Sequence, residues 1–171
     1  FEDVPGPKDR RMQAFARPGS AIAPRLDRGA HSFVTRSGDA GRGPAWLELH
    51  DLGAADRPPL VRTLTFRGQT GAGDGVLTVG FVVSGDTPLR VLVRALGPAL
   101  EGRDVANPVA DPQVAVFAAG ATSPLAQNDN WADARDIAVA TRRARAAAFA
   151  PHSRDAAVVL TLAPGAYTAQ V

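Results

Sequence analysis

The sequence predicts a mainly β domain: an antiparallel β-sandwich of jelly-roll or immunoglobulin-like type, with one helical crossover and an extended N-terminal arm. Three observations carry this reading. From residue 30 onward, short apolar stretches are separated by Gly, Pro and Asp turns, and the 171 residues include 17 glycines and 14 prolines to build them. Only Trp131–Ala150 switches to a helical period. Residues 1–28 show no apolar period and carry Pro5, Pro7, Pro18 and Pro24. A closed barrel would use the same elements, but nothing in the sequence fixes a shear or a lumen.

The arm comes first. Lys8, Arg10, Arg11, Arg17, Arg25 and Arg28 oppose Glu2, Asp3, Asp9 and Asp27, so residues 1–28 hold the whole net charge of +2. Such a segment cannot bury enough apolar surface to offset its ordering entropy. It is either a plain linker or an extended arm held down by a neighbouring subunit.

The sandwich domain is expected over 29–171. Ala30–Arg36 alternates, with Phe33 and Thr35 on one face, and Gly38, Gly41 and Gly43 mark a turn. Ala45–Leu52 follows, with Leu47 and Leu49 facing one way and Trp46, Glu48 and His50 the other, a pattern that suits a strand wet on one side. Pro58 and Pro59 precede a strand over Leu60–Arg67, and Gly68–Gly75 forms a glycine-rich turn. Val76–Val83 is nearly continuous in apolar residues, which predicts a central strand buried on both faces.

Leu89–Ala95 sets Leu89, Val91 and Val93 against Arg90 and Arg94, and two short strands are expected over Gln113–Ala118 and Ser123–Gln127. In the helical stretch, Ala134, Ile137, Ala138, Thr141, Ala144 and Ala148 share a face, Asn130 or Asp133 is placed to cap, and Pro151 ends the run. Ala156–Leu162 and Ala166–Val171 then read as a hairpin-like pair across Ala163-Pro164-Gly165.

Composition excludes much chemistry. With zero cysteines, disulfides, thiolate metal sites and cysteine nucleophiles are ruled out. No apolar run approaches the ~18 residues of a membrane span. The densest basic cluster, Arg142, Arg143 and Arg145, has no interleaved aromatics, so a solvated helix face is expected and nucleic acid is not. His31, His50, His152 and Tyr167 leave few acid–base groups, and no nucleophile elbow, His-Glu-x-x-His helix or phosphate loop occurs. No catalytic residue is nominated, and the chain is read as non-enzymatic.

One metal candidate stands out. Asn128, Asp129, Asn130 and Asp133 place hard oxygen ligands around one loop, which suits Ca²⁺, although such residues also build turns and caps without metal. Trp46 or Trp131 could meet a glycan if exposed. A calcium- or glycan-binding accessory domain is thus the alternative to the structural reading below.

Several phrases of residues 60–171 occur together: Leu64-Thr65-Phe66-Arg67-Gly68, Gly71-Ala72-Gly73-Asp74, Val79-Gly80-Phe81-Val82-Val83-Ser84-Gly85, Val91-Leu92-Val93-Arg94-Ala95-Leu96-Gly97-Pro98, Asn128-Asp129-Asn130-Trp131 and Leu162–Val171. In these the chain resembles a repeat of large secreted bacterial proteins of mostly unassigned role. It resembles more loosely the bacterial pre-peptidase C-terminal domains, which are secreted β-sandwiches. Neither family brings catalytic residues, and both imply an extracellular or cell-surface location.

In that repeat, the strand equivalent to Ala166–Val171 is followed by a glycine-rich turn and one more strand. Here the resembling strand, Ala45–Leu52, stands before the body, preceded by its turn Gly38–Pro44, while the sequence stops in mid-strand. Two arrangements satisfy this order. Ala45–Leu52 folds back beside Ala166–Val171 as a circular permutation, or residues 29–52 of one copy act as a donor hairpin for the next. The second predicts a head-to-tail homopolymer, because donor and acceptor are different surfaces. Its expected contact residues are Phe33, Trp46, Leu47, Leu49, Tyr167, Ala169 and Val171.

Overall fold

Apolar alternation meets turn chemistry in a computed structural model that describes residues 63–101, 103 and 105–171. All of these belong to one compact unit, Leu60–Val171. The expected arm, the strands Ala30–Arg36 and Ala45–Leu52, and the contact residues Phe33, Trp46, Leu47 and Leu49 lie outside the described residues.

The described strands are β1 (Thr78–Val83), β2 (Leu89–Ala95), β3 (Val114–Ala118), β4 (Ala126–Asn128), β5 (Ala156–Leu162) and β6 (Gly165–Gln170). The helix α1, Arg135–Arg143, lies between β4 and β5, and short 3₁₀ turns occupy Gly73–Gly75 and Pro98–Leu100. Every pairing is antiparallel. The strands form two sheets, one in the order β1-β6-β3-β4 and one of β2 and β5. The fold is therefore mainly β and sandwich-like.

Period-two alternation directs the core. Val114 and Val116 of β3, Ala169 of β6, Ala95 of β2, and Ala156 and Val158 of β5 form one buried cluster fed from both sheets, joined at its margin by Phe81, Val93 and Leu160. The opposite face of the two-stranded sheet meets α1. There Trp131, Ile137, Phe149 and Ala157 pack with Leu92, Ala138 and Val159. Sheet, sheet and helix make three layers, with β2 and β5 in the middle.

Several expectations are corrected. Thr63–Arg67 adopts no strand. β1 is not buried on both faces and, among the described residues, is the end strand of its sheet: Val79, Phe81 and Val83 turn toward the core, while Val82 is 71% exposed. β4 starts three residues later than expected, at Ala126. β5 and β6 are not a hairpin. Leu162 pairs with Leu89 in one sheet and Gly165 with Val83 in the other, so Ala163-Pro164 carries the chain across the sandwich. Pro164 has no N–H with which to continue a ladder.

The helix is shorter than its periodicity suggests. Ile137 and Thr141 are buried as expected, but neither Asn130 nor Asp133 caps the helix; Ala134 holds the N-cap position with no side-chain bond. At the other end, Arg145 adopts φ 53°, its N–H donates to Arg142 O at 3.1 Å, and Ala146 N–H donates to Thr141 O at 3.1 Å. That pair of bonds is a Schellman stop built without glycine. It ends the helix well before Pro151.

Candidate functional site

Because the sequence points to strand addition, the sheet edges are the candidate site. β6 has none to offer. It pairs with β1 over its whole length and with β3 from Tyr167 to Gln170, and Ala119 N–H donates to Ala166 O at 2.9 Å. Both edges of β6 are thus taken within the unit, while Ala45–Leu52, expected beside Ala166–Val171, lies outside the described residues. The three expected contact residues there make contacts within the unit, with Ala169 buried and Tyr167 and Val171 half-buried. Tyr167 stacks on Phe81 with ring centroids 5.7 Å apart and donates its hydroxyl to Ala163 O at 2.7 Å. Ala169 is in the core, and Val171 exchanges backbone hydrogen bonds with Leu77 at 2.9 and 3.0 Å.

The place beside β6 is filled by β1, which is the end strand of the described sheet. Among the described residues nothing pairs with β1 on the side away from β6. The mutual bonds of Leu77 and Val171 mark a hydrogen-bonded pair, so Val79, Phe81 and Val83 also direct their backbone groups to β6. Thr78, Gly80 and Val82 direct theirs outward. The strand Thr-Val-Gly-Phe-Val-Val contains no charge and no proline, and its pairing has no bulge. Among the described residues it therefore carries no charge, proline or bulge of the kind that usually blocks a sheet edge.

The other edges differ. β4 is only three residues long. β5 is closed at its start, where Ala157 N–H donates to Asn128 Oδ1 at 3.1 Å and Asp155 O accepts from Trp131 N–H at 2.9 Å. β2 carries Arg90 and Arg94. The Arg94 guanidinium lies 4.1 Å from the Phe149 ring centroid and donates through Nη2 to Ala147 O at 2.8 Å. Burial holds its pKa below the usual arginine value, against the raising influence of Asp155, with Arg103 lowering it further. Phe149 in turn packs on Trp131, with centroids 5.7 Å apart, and Trp131 is buried rather than displayed.

The four oxygen-rich residues of the expected calcium loop are divided. Asn128 is engaged with β5 as above. Asp133, at φ 54°, accepts the His152 backbone N–H at 3.1 Å and pairs with His152 Nδ1 at 2.8 Å. Asp129 and Asn130 sit between them on the β4–α1 connection. Among the described residues no three His, Cys, Asp or Glu side chains gather as a metal site, and no helix is long and apolar enough to cross a membrane. Arg142, Arg143 and Arg145 are exposed at the C-terminal end of α1, where the helix dipole favours cations.

Sequence reading missed Asp155. This carboxylate is fully buried and accepts N–H groups from Gly97 at 2.8 Å and Ala99 at 3.1 Å, together with the Ser153 hydroxyl. It ties the 3₁₀ turn after β2 to the start of β5. The available signal was an acid placed directly before an almost wholly apolar strand.

No protein-family model, curated protein or solved structure matches the chain. The resemblance to the secreted bacterial repeat accordingly rests on the quoted phrases alone.

Proposed function

We propose that this protein is a non-enzymatic, extracellular structural module that assembles head-to-tail, the free edge of β1 in one copy receiving the strand Ala45–Leu52 from the next. The observation that carries the reading is the β1 edge itself: six residues long, uncharged, unbulged, and bearing Val82 at 71% exposure. Main-chain bonds to Thr78, Gly80 and Val82 supply the affinity, and alternate side chains supply the register. Donor and acceptor are different surfaces, so the contact propagates into a filament or closes into a ring. The added strand extends the larger sheet of a jelly-roll or immunoglobulin-like sandwich.

The test is particle mass against concentration by light scattering, with negative-stain microscopy. The full chain is expected to form filaments or rings. Deleting residues 1–52, or introducing Thr78→Lys with Val82→Lys, is expected to leave folded monomers. Uniform monomers of the full chain at high concentration overturn the proposal, as does assembly undiminished by the paired lysines.

A further inference from the structure

A glycine at the centre of an edge strand is unusual, and Gly80 occupies such a place. Glycine inside a strand generally marks a bulge, a bend, or the close approach of another group. No bulge is present, since β1 and β6 stay in register from Thr78↔Gln170 to Val83↔Gly165. Nothing within the described unit approaches either: a Cβ built on Gly80 meets no atom within 4 Å. Its cross-strand neighbour is Thr168, whose own neighbour on the far side is Phe117. Gly80 is thus a gap in a row of outward side chains, at the edge where pairing among the described residues stops.

We propose, resting on the strand-addition reading, that this gap sets the register of the incoming strand by receiving the Trp46 indole of a second copy. An aromatic residue opposite an edge glycine lays its ring over the exposed backbone and replaces the packing that glycine lacks. Trp46 is the one indole in residues 1–62 and the one aromatic ring of Ala45–Leu52 apart from the imidazole of His50.

Antiparallel pairing with Trp46 opposite Gly80 places Ala45 opposite Phe81, Leu47 opposite Val79 and Leu49 opposite Leu77. The leucines then continue the inward row of β1, and the small Ala45 faces the large Phe81. A slip of one residue turns both leucines to water. A slip of two puts Pro44 or Glu48 over Gly80. The connection permits a neighbour to be reached: the ten residues from 53 to 62, outside the described residues, span at most ~33 Å when extended.

The full chain tests this. Gly80→Val fills the gap with a side chain that the monomer has room for. It is expected to raise the concentration needed for assembly about tenfold, the worth of one well-packed aromatic contact. Trp46→Ala should do the same and Trp46→Phe should restore most of the loss. In a Trp131→Phe background Trp46 is the sole tryptophan, and its emission should shift to the blue as assembly proceeds. Light scattering on the chain that retains Trp131 gives the same comparison should that background fail to fold.

Assembly of Gly80→Val at the original concentration overturns the register while leaving strand addition standing, provided the paired lysine variant still fails to assemble. Assembly of both variants removes the β1 reading itself. Blue-shifted Trp46 emission in a monomer, independent of dilution, overturns the second copy as the source of the strand.

Discussion

Asp155 holds Gly97 in place: the Gly97 N–H donates to the Asp155 Oδ1 at 2.8 Å, from the turn after β2 to the foot of β5. The same carboxylate takes Ala99 N–H at 3.1 Å and the Ser153 hydroxyl, with no solvent exposure. Removing it orphans several buried donors at once, and each orphan costs about 1–3 kcal/mol. Asp155→Ala should therefore lower stability by roughly 3–5 kcal/mol in urea melts. Asp155→Asn should cost less, since Oδ1 survives while an amide N–H₂ turns toward the Ser153 hydroxyl. A loss below about 1 kcal/mol for the alanine variant would show that the cradle contributes little.

Gly97 has its own constraint. A Cβ there would stand 2.1 Å from Val109 O and 2.9 Å from Pro112 Cδ. The first of these is backbone and cannot swing aside. Gly97→Ala should lower stability by about 2 kcal/mol or more, by analogy with overpacked cores, and the thermal midpoint is the simplest readout.

These two residues mark where the sequence was and was not legible. Alternation located β2, β3, β5 and β6 to within a residue or two, because one face of each strand meets the core. Gly97-Pro98 is legible as a break after β2, but nothing local points to its buried partner 58 positions away. Ala163-Pro164-Gly165 is as short as a hairpin loop, and local chemistry cannot say that its flanks enter different sheets. β1 misled for a different reason. Its apolar run suits burial on both faces, yet one face is open and Val82 is 71% exposed. The helix overran because its stop uses an arginine where glycine is the usual signal.

That stop makes a prediction of opposite sign. Arg145 sits at φ 53°, a conformation costing an L-residue about 1–2 kcal/mol. Glycine removes the cost but loses some of the gain through the entropy of its unfolded chain, about 0.4–1 kcal/mol. Arg145→Gly should raise stability by about 0.5–1 kcal/mol. Arg145→Ala should bring no such gain, and a stabilised alanine variant would point to charge rather than backbone as the cause.

Thr141 offers a second stabilising change. It is 4% exposed on the buried face of α1, and its hydroxyl oxygen finds no hydrogen-bond partner among the described residues. Valine has nearly the same shape without the polar atom. Thr141→Val should add about 1 kcal/mol by relieving an unmet desolvation cost. Thr141→Ser keeps the hydroxyl and loses a methyl, so it should destabilise. Chemical melts of the two variants separate polarity from volume.

Tyr167 separates internal packing from assembly. Its hydroxyl bonds Ala163 O at 2.7 Å, and its ring stacks on Phe81. The first contact fastens β6 to the crossover from β5, and the second fastens it to β1. Tyr167→Phe removes only the hydroxyl bond, so stability should fall by about 0.5–1 kcal/mol. Assembly measured by light scattering at a temperature where both chains are folded should be unchanged. Tyr167→Ala also removes the stack, for a loss of about 3 kcal/mol or more, and should loosen the inner side of β1, the strand proposed to accept an incoming one. Its assembly should then weaken in step with its stability. Weakened assembly in the phenylalanine variant at full stability would instead place the hydroxyl at the contact between copies.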